Sequence, residues 1–530
     1  MPKLPEEVEI ELGLAEADDE LALRERVARQ LGLASTSVPA FHVVKRSLDA
    51  RRGRVRFHLL IALRARPPAS ELGGAPLREV KPSPQIVIVG DGPAGLFCAY
   101  ELARHGIFAH VLERGKQVQP RRHDLKGLNR RGTVDPDSNY CFGEGGAGTY
   151  SDGKLYTRAH KRGNVRDVIE LLAVHGAPEA ILSDARPHIG SNRLPKVVTA
   201  LRERLESAGQ RFEFGARVSG LLIDSSAGRQ QVRGVRLADG REIGADAVVL
   251  ATGHSARDVL EMLAAAGVPL EPKAFAIGVR IEHPQALINR LQYGSAAEHA
   301  RLPNASYRLA ETVDGRGVFS FCMCPGGWVV PASTAAGELV VNGMSLARRD
   351  SPFANSGLVV SVEPADLQRA GFLGPLGGIE FQRRIERAAF VAGGGALVAP
   401  ATRASDFLAG RASSTLPESS YIPGLLASDV GGVLDSAELD IARRLREALA
   451  HFSRSLYGYA GADAVLIGVE SRTSCPVRVP RDAERLTARH LDGLYPTGEG
   501  AGFAGGIVSA ALDGMRVARE IAQRFGGSRG

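Results

Sequence analysis

Gln85-Ile-Val-Ile-Val89, then Gly90-Asp-Gly-Pro-Ala-Gly95, then Leu96–His105: this stretch decides the fold. The first five residues are an unbroken apolar run, short enough for a buried strand, and the last ten have helical patterning. Strand, G-x-G-x-x-G and helix stand in the order that a dinucleotide-binding turn requires. Gly90 permits the tight turn, Gly92 lets the backbone approach a pyrophosphate, and Gly95 lets helix and strand pack closely. Beyond Pro93, which carries no N–H, the helix start at Ala94 offers free N–H groups and the positive end of a dipole to phosphates. A second predicted strand, Phe108–Leu112, ends in Glu113 and Arg114, with the acid about 18 residues past Gly95. A carboxylate there accepts hydrogen bonds from ribose hydroxyls and repels a 2′-phosphate, which suits FAD or NAD better than NADP.

Three further segments favour FAD. Asn139–Leu155 holds Gly143, Gly145, Gly146, Ala147, Gly148 and Gly153, so many peptide N–H groups can lie against a flat ring or a phosphate; a mobile surface loop is the alternative. Asp246–Gly253 reads as a buried strand ending in Ala251-Thr252-Gly253, preceded by a hairpin over 231–243 that turns at Asp239-Gly240. The segment Leu494–Ile507 carries Glu499, Gly505, Gly506 and Ile507 ahead of a helix over 508–525. A helix start there would point its positive end at the flavin's N1–C2=O edge and favour the reduced state.

The whole chain is consistent with such a protein. It has 530 residues, 44% hydrophobic and 24% charged, which excludes a mainly disordered chain. Glycine accounts for 62 residues with no collagen-like period, so the excess belongs in turns and ligand-contact loops. No apolar run approaches the roughly 18 residues of a membrane helix. The N-terminus lacks a signal peptide's apolar core, and five cysteines cannot build a disulfide framework, so a cytoplasmic location is expected. A net charge of +7 over this length is weak evidence for nucleic acid.

The expected architecture is α/β. A small β-α-β-β unit occupies 1–66 and a Pro/Gly-rich linker 67–84. A Rossmann-like FAD-binding domain runs over 85–270 and resumes at 485–526, and a mixed α+β substrate domain is inserted at 271–484. The N-terminal unit needs a neighbour to complete its core. Its basic hairpin (Lys45, Arg46, Arg51, Arg52, Arg54) suits either a polyanion or plain solvent.

Together these residues resemble the uncharacterised FAD-dependent dehydrogenases, bacterial flavoproteins related to the glutathione-reductase-like superfamily. The matching stretches are Gly90–Gly95, Phe142–Leu155, Phe275–Glu282, Phe321–Gly327, Val341–Met344 and Gly498–Ala510. The resemblance implies one non-covalent FAD. Gly90, Gly92 and Gly95 would face the pyrophosphate, Glu113 the adenosine ribose, and Gly145–Gly148 the flavin. Thr252 and Gly253 would lie nearby, with Glu499, Gly506 and Ile507 closing over the ribityl chain and flavin. The Cys-x4-Cys pair of the disulfide-reductase branch is missing. So is a second strand–GxGxxG–helix unit between Ser255 and Arg481, so NAD(P)H would visit only transiently.

Four residues are candidates for chemistry. Cys322 and Cys324 would share one face of an extended segment, about 6–7 Å apart, at the outer limit for a disulfide that could relay electrons to flavin; two buried small hydrophobes are the alternative. Lys154 is either a cation beside the flavin or a surface lysine. His254 is either an acid–base group or part of a helix start with capping-box spacing, Ser255 to Asp258. Arg280, Arg384 and Arg472 are possible carboxylate anchors or structural groups. The expected activity is hydride transfer between a small organic substrate and FAD, with no membrane partner. A flavin-dependent nucleic-acid-modifying enzyme and a non-catalytic flavin redox sensor are the alternatives.

Overall fold

The computed structural model describes residues 4–50, 54–68, 72–73, 75–157, 162–225 and 230–526. Arg51 and Arg52 of the basic hairpin, and residues 69–71 and 74 of the linker, lie outside them.

Lys81–Val89 is the central strand of a five-stranded sheet. Ala247–Leu250 and Ile107–Glu113 flank it, with Leu494–Pro496 and Arg211–Phe214 at the edges. Every pairing in this sheet is parallel. Such a sheet is covered on both faces, which is why Ile86–Val89 and Ala247–Leu250 are continuous apolar runs, buried at every position. The edge strand Leu494–Pro496 is paired with a strand that precedes it by some 245 residues, so the tail of the chain completes the sheet that the first motif begins.

The helices Pro93–Arg104 and Ile507–Gly526 lock that closure. A Cβ on Gly514 would meet the Ala94 carbonyl oxygen at 2.0 Å, and one on Gly95 would meet the Gly90 carbonyl at the same distance. The backbones touch where no side chain fits, so Pro93–Arg104 is buried from Ala94 to Arg104. A three-stranded antiparallel sheet, Val218–Asp224, Gln231–Leu237 and Glu242–Gly244, precedes Ala247–Leu250, one strand more than the hairpin read from sequence.

The second large unit is a seven-stranded sheet in the order Ala310–Val313, Arg316–Cys324, Phe353–Val362, Phe275–Pro284, Val465–Glu470, Ala399–Arg403, Leu425–Ala427. Phe275–Pro284 is buried at every position but Pro284. Helix Ile441–Ser455 presents Ile441, Leu445, Ala448, Leu449 and Phe452 to this core at helical spacing.

In the N-terminal unit, Arg56–Ala62 lies between Glu7–Gly13 and His42–Asp49. Val8, Ile10 and Leu12 alternate inward against Leu23 and Val27 of helix Glu20–Leu31, which Asp19 caps through the Leu21 and Ala22 N–H groups. The unit docks on both larger units. Arg46 N–H donates to the Ser183 carbonyl at 2.7 Å, and Arg301 reaches the Leu14 carbonyl at 2.9 Å. Arg46 also pairs with Asp18 at 2.9 Å and lies over the Phe57 ring, so this member of the basic hairpin is engaged internally.

Candidate active site

One cleft of about 320 Å³ opens where the C-terminal ends of Lys81–Val89 and Ala247–Leu250 meet the strand Arg316–Cys324. Its two walls differ in kind.

The first wall is backbone. Gly90, Gly92, Pro93 and Ala94 line it, with Gly146–Gly148, Thr252, Gly253 and Gly505–Ile507. Gly92 starts its helix without a side-chain cap, leaving the first-turn N–H groups beside the cleft. A Cβ on Gly146 would come within 3.0 Å of the Gly92 Cα, so two glycine segments cross and leave a cradle that a side chain would fill. Gly95 and Gly145 do not line the cleft. Gly95 packs under the Gly90 carbonyl, and a Cβ on Gly145 would strike Thr149. Both pack against protein, and for Gly95 this is the close helix–strand packing expected of the third glycine.

Glu113 lines this wall and ties it together. Its carboxylate accepts from the N–H groups of Gly115 (2.9 Å), Gly143 (2.8 Å) and Asp91 (3.1 Å). Arg114 pairs with Asp137 and Asp258 at 2.7 and 2.9 Å and lies over Phe142. Asp91, between the first two glycines, is fully buried, and burial together with Glu144 and Glu113 pushes its carboxyl well above the usual range.

Arg121 is a site residue that sequence reading missed. It is completely buried and donates to four carbonyls, of Asn139 (2.9 Å), Tyr140 (3.1 Å), Glu144 (2.8 Å) and Gly146 (2.9 Å). The Glu144 carboxylate accepts from Val118 N–H at 2.7 Å and from Arg202 at 2.8 Å. The glycine-rich segment is therefore pinned from inside, and the mobile-loop alternative falls. All of these Arg121 partners are main-chain oxygens, so no residue pattern announced them.

The second wall is made of side chains. Lys154 Nζ lies 3.0 Å from Asp152 and 3.5 Å from Cys324 Sγ. Burial alone would lower this ammonium's pKa, but Cys324 and Asp152 hold it above its ordinary value. Asp152, also missed, is buried; Lys154 and Arg349 outweigh that burial and keep its carboxyl well below the usual range. The lysine is thus a fixed cation in the cleft.

Cys322 departs from the extended geometry expected of it. The ladder slips between Phe321 and Cys324, and Cys322 takes φ +44° in that bulge. Its side chain opens to the cleft while Cys324 is buried, and Cys324 S–H donates to the Cys322 carbonyl at 3.2 Å. Surrounding protein mass pushes the Cys322 thiol up to about 11 against the pull of Lys154 and Arg280. Both are free thiols.

Beneath them Arg280 is fully buried. It donates to the Cys322 carbonyl (3.1 Å), Asn355 (3.0 Å) and Asn342 (2.9 Å) and pairs with Glu470. With its donors so engaged it is no substrate anchor. Arg384 stands on the exterior, 3.4 Å from Glu438, and is none either. Arg472 does line the cleft, but its guanidinium binds Glu386 (2.9 Å), Glu338 (3.3 Å) and Thr334 (2.6 Å).

His254 lines the cleft beside that network. Burial, Arg472 and Arg257 push its imidazole down to about 4, so it is neutral at pH 7. The expected capping box does not form: helix Arg257–Ala265 starts at Ala256 with no side-chain cap, and Asp258 turns to Arg114. Glu499 lines the same end, accepts from Cys475 N–H at 3.0 Å, and is raised by burial.

Comparison with known proteins gives these features a frame. A family described as "FAD-dependent protein, C-terminal domain-like" matches residues 274–473, and one described as "FAD dependent oxidoreductase" matches 189–340. A domain of unknown function matches 4–63. A Clostridium beijerinckii protein described as uncharacterized is 40% identical over 534 residues, spanning 97% of this chain and 98% of its own. Among solved structures, a flavoprotein/dehydrogenase from Cytophaga hutchinsonii is similar at 11% identity and a TM-score of 0.35, over 84% of this chain and 80% of that one. CtdE in complex with FAD is similar at 11% identity and a TM-score of 0.33, over 83% and 88%. The crossed glycines and the uncapped helix start fit the cofactor that the family descriptions print. The chain belongs to one family with the C. beijerinckii protein, it carries stretches that match FAD-dependent protein and FAD-dependent oxidoreductase families, and FAD is its cofactor.

Proposed function

We propose that the chain transfers a hydride between a small organic substrate and FAD held non-covalently in this cleft. The carrying observation is the meeting, in one cleft, of a backbone wall suited to phosphates and a flat ring with a side-chain wall bearing a fixed cation. Bound FAD supplies the N5 position that accepts or returns the hydride.

The chain's residues do the rest. The N–H groups of Gly92 and Ala94 take the pyrophosphate charge. Glu113 has about four lone-pair sites, three occupied by backbone N–H groups, and the remaining one accepts a ribose hydroxyl. The start of helix Ile507–Gly526 and Lys154 set positive potential at the flavin edge, favouring its reduced form. His254, neutral, orients the substrate by a hydrogen bond without adding charge.

Anaerobic mixing of the holoprotein with NADH, NADPH and a panel of metabolites tests the reading. At least one donor should bleach the visible flavin absorbance within the dead time of turnover. A flavin that dithionite reduces but every organic donor leaves oxidised would overturn it and favour the sensor.

A further inference from the structure

We propose that Cys322 and Cys324 are a dithiol–disulfide couple that exchanges two electrons with the flavin across the cleft. The inference rests on the placement of FAD given above.

Both residues line the cavity that the glycine wall lines. They sit in the one stretch of Arg316–Cys324 where the ladder slips, and Cys324 folds its sulfur back to 3.2 Å from the Cys322 carbonyl oxygen. Two residues so close in sequence start within disulfide reach even when extended. Cys322 is held left-handed at φ +44°, a conformation that a β-carbon disfavours and that glycine would adopt freely. Arg280 maintains it by donating to the Cys322 carbonyl at 3.1 Å, and Ser356 fixes the residue before it by donating to the Phe321 carbonyl at 3.2 Å. Strain maintained at a cavity wall by a buried arginine marks a site rather than filler.

The surroundings suit the chemistry. Lys154 places its ammonium 3.5 Å from Cys324 Sγ, where it stabilises the anion left when one S–S bond is broken. Burial pushes the Cys322 thiol up to about 11 even against Lys154 and Arg280, so at rest it keeps its proton. In the oxidising direction the two S–H bonds break and an S–S bond forms. The two electrons and two protons pass to FAD, which becomes its two-electron-reduced form. In the other direction reduced FAD returns them, the S–S bond breaks, and both sulfurs are reprotonated.

The test uses the FAD-loaded full chain. The air-oxidised protein is denatured, alkylated and digested, and the peptide bearing both cysteines is weighed. A parallel sample is first titrated anaerobically with dithionite while the flavin absorbance is followed. The couple predicts an unalkylated peptide lighter by two hydrogens before reduction and doubly alkylated after it. It also predicts an uptake of four electrons per FAD, against two for Cys322→Ser and Cys324→Ser. Two electrons per FAD in the wild type, with both thiols alkylated in every state, would overturn it, as would a disulfide that persists once the flavin is fully reduced. The wild-type peptide mass decides even if a variant fails to retain FAD. Bleaching by an organic donor with only two electrons taken up sinks the couple and leaves hydride transfer standing; four electrons with no organic donor does the reverse.

Discussion

The two walls of the cleft are built by different means. The glycine wall is main chain, held by contacts that tolerate no added carbon: Gly95 under the Gly90 carbonyl, Gly514 on Ala94, Gly146 across Gly92. The opposite wall is held by charges brought together from far apart, such as Arg280 with Glu470, 190 residues away, and Arg472 with Glu386. A steric wall should break all at once when overfilled. An electrostatic wall should lose stability or redox poise by degrees while the cofactor stays bound.

The largest expected effect is on the steric wall. Gly95→Val adds carbon where even a Cβ sits 2.0 Å from the Gly90 carbonyl. It should leave protein without bound flavin, read by absorbance after purification. If FAD binds with normal stoichiometry, the walls do not differ as described. Next, Glu470→Gln strands the fully buried Arg280 without its counter-charge. Removing one partner of such a pair costs about 3–5 kcal/mol, seen as a lower urea midpoint, yet FAD should remain bound under native conditions. Lys154→Met should keep both FAD and stability but make the flavin potential more negative. Reduction should slow about tenfold, equivalent to roughly 1.4 kcal/mol in the barrier; an unchanged potential would remove Lys154 from the flavin edge.

The smallest effect concerns pH. His254 has a folded pKa near 4, below the ~6.5 of an unfolded histidine. Between those values the unfolded chain binds a proton that the folded one refuses, so stability falls as pH drops from 6.5 toward 4. His254→Gln should flatten that part of the profile, and the wild-type imidazole NMR signal should titrate near 4. A midpoint near 6.5 would place His254 in solvent.

The same contrast explains what the sequence could disclose. The strand–glycine–helix unit, Glu113 and the tail helix were legible because each follows a local rule of spacing or propensity. The tail helix does pack on Pro93–Arg104, as a single convergent site requires. Arg121 stayed hidden because four carbonyls carry no sequence identity. Arg280 and Arg384 could be read as anchors because a charge looks the same in sequence whether its partner is a ligand or a distant glutamate. The Cys322 bulge depends on the pairing of Arg316–Cys324 with Phe353–Val362, which no local window contains.

The most direct test of the account is a crystal structure of the FAD-loaded chain. It should show the pyrophosphate on the Gly92–Ala94 turn and the isoalloxazine between Gly505–Ile507 and the Lys154–Cys322 face. An isoalloxazine directed away from Lys154 and Cys322, or FAD bound outside this cleft, would contradict it.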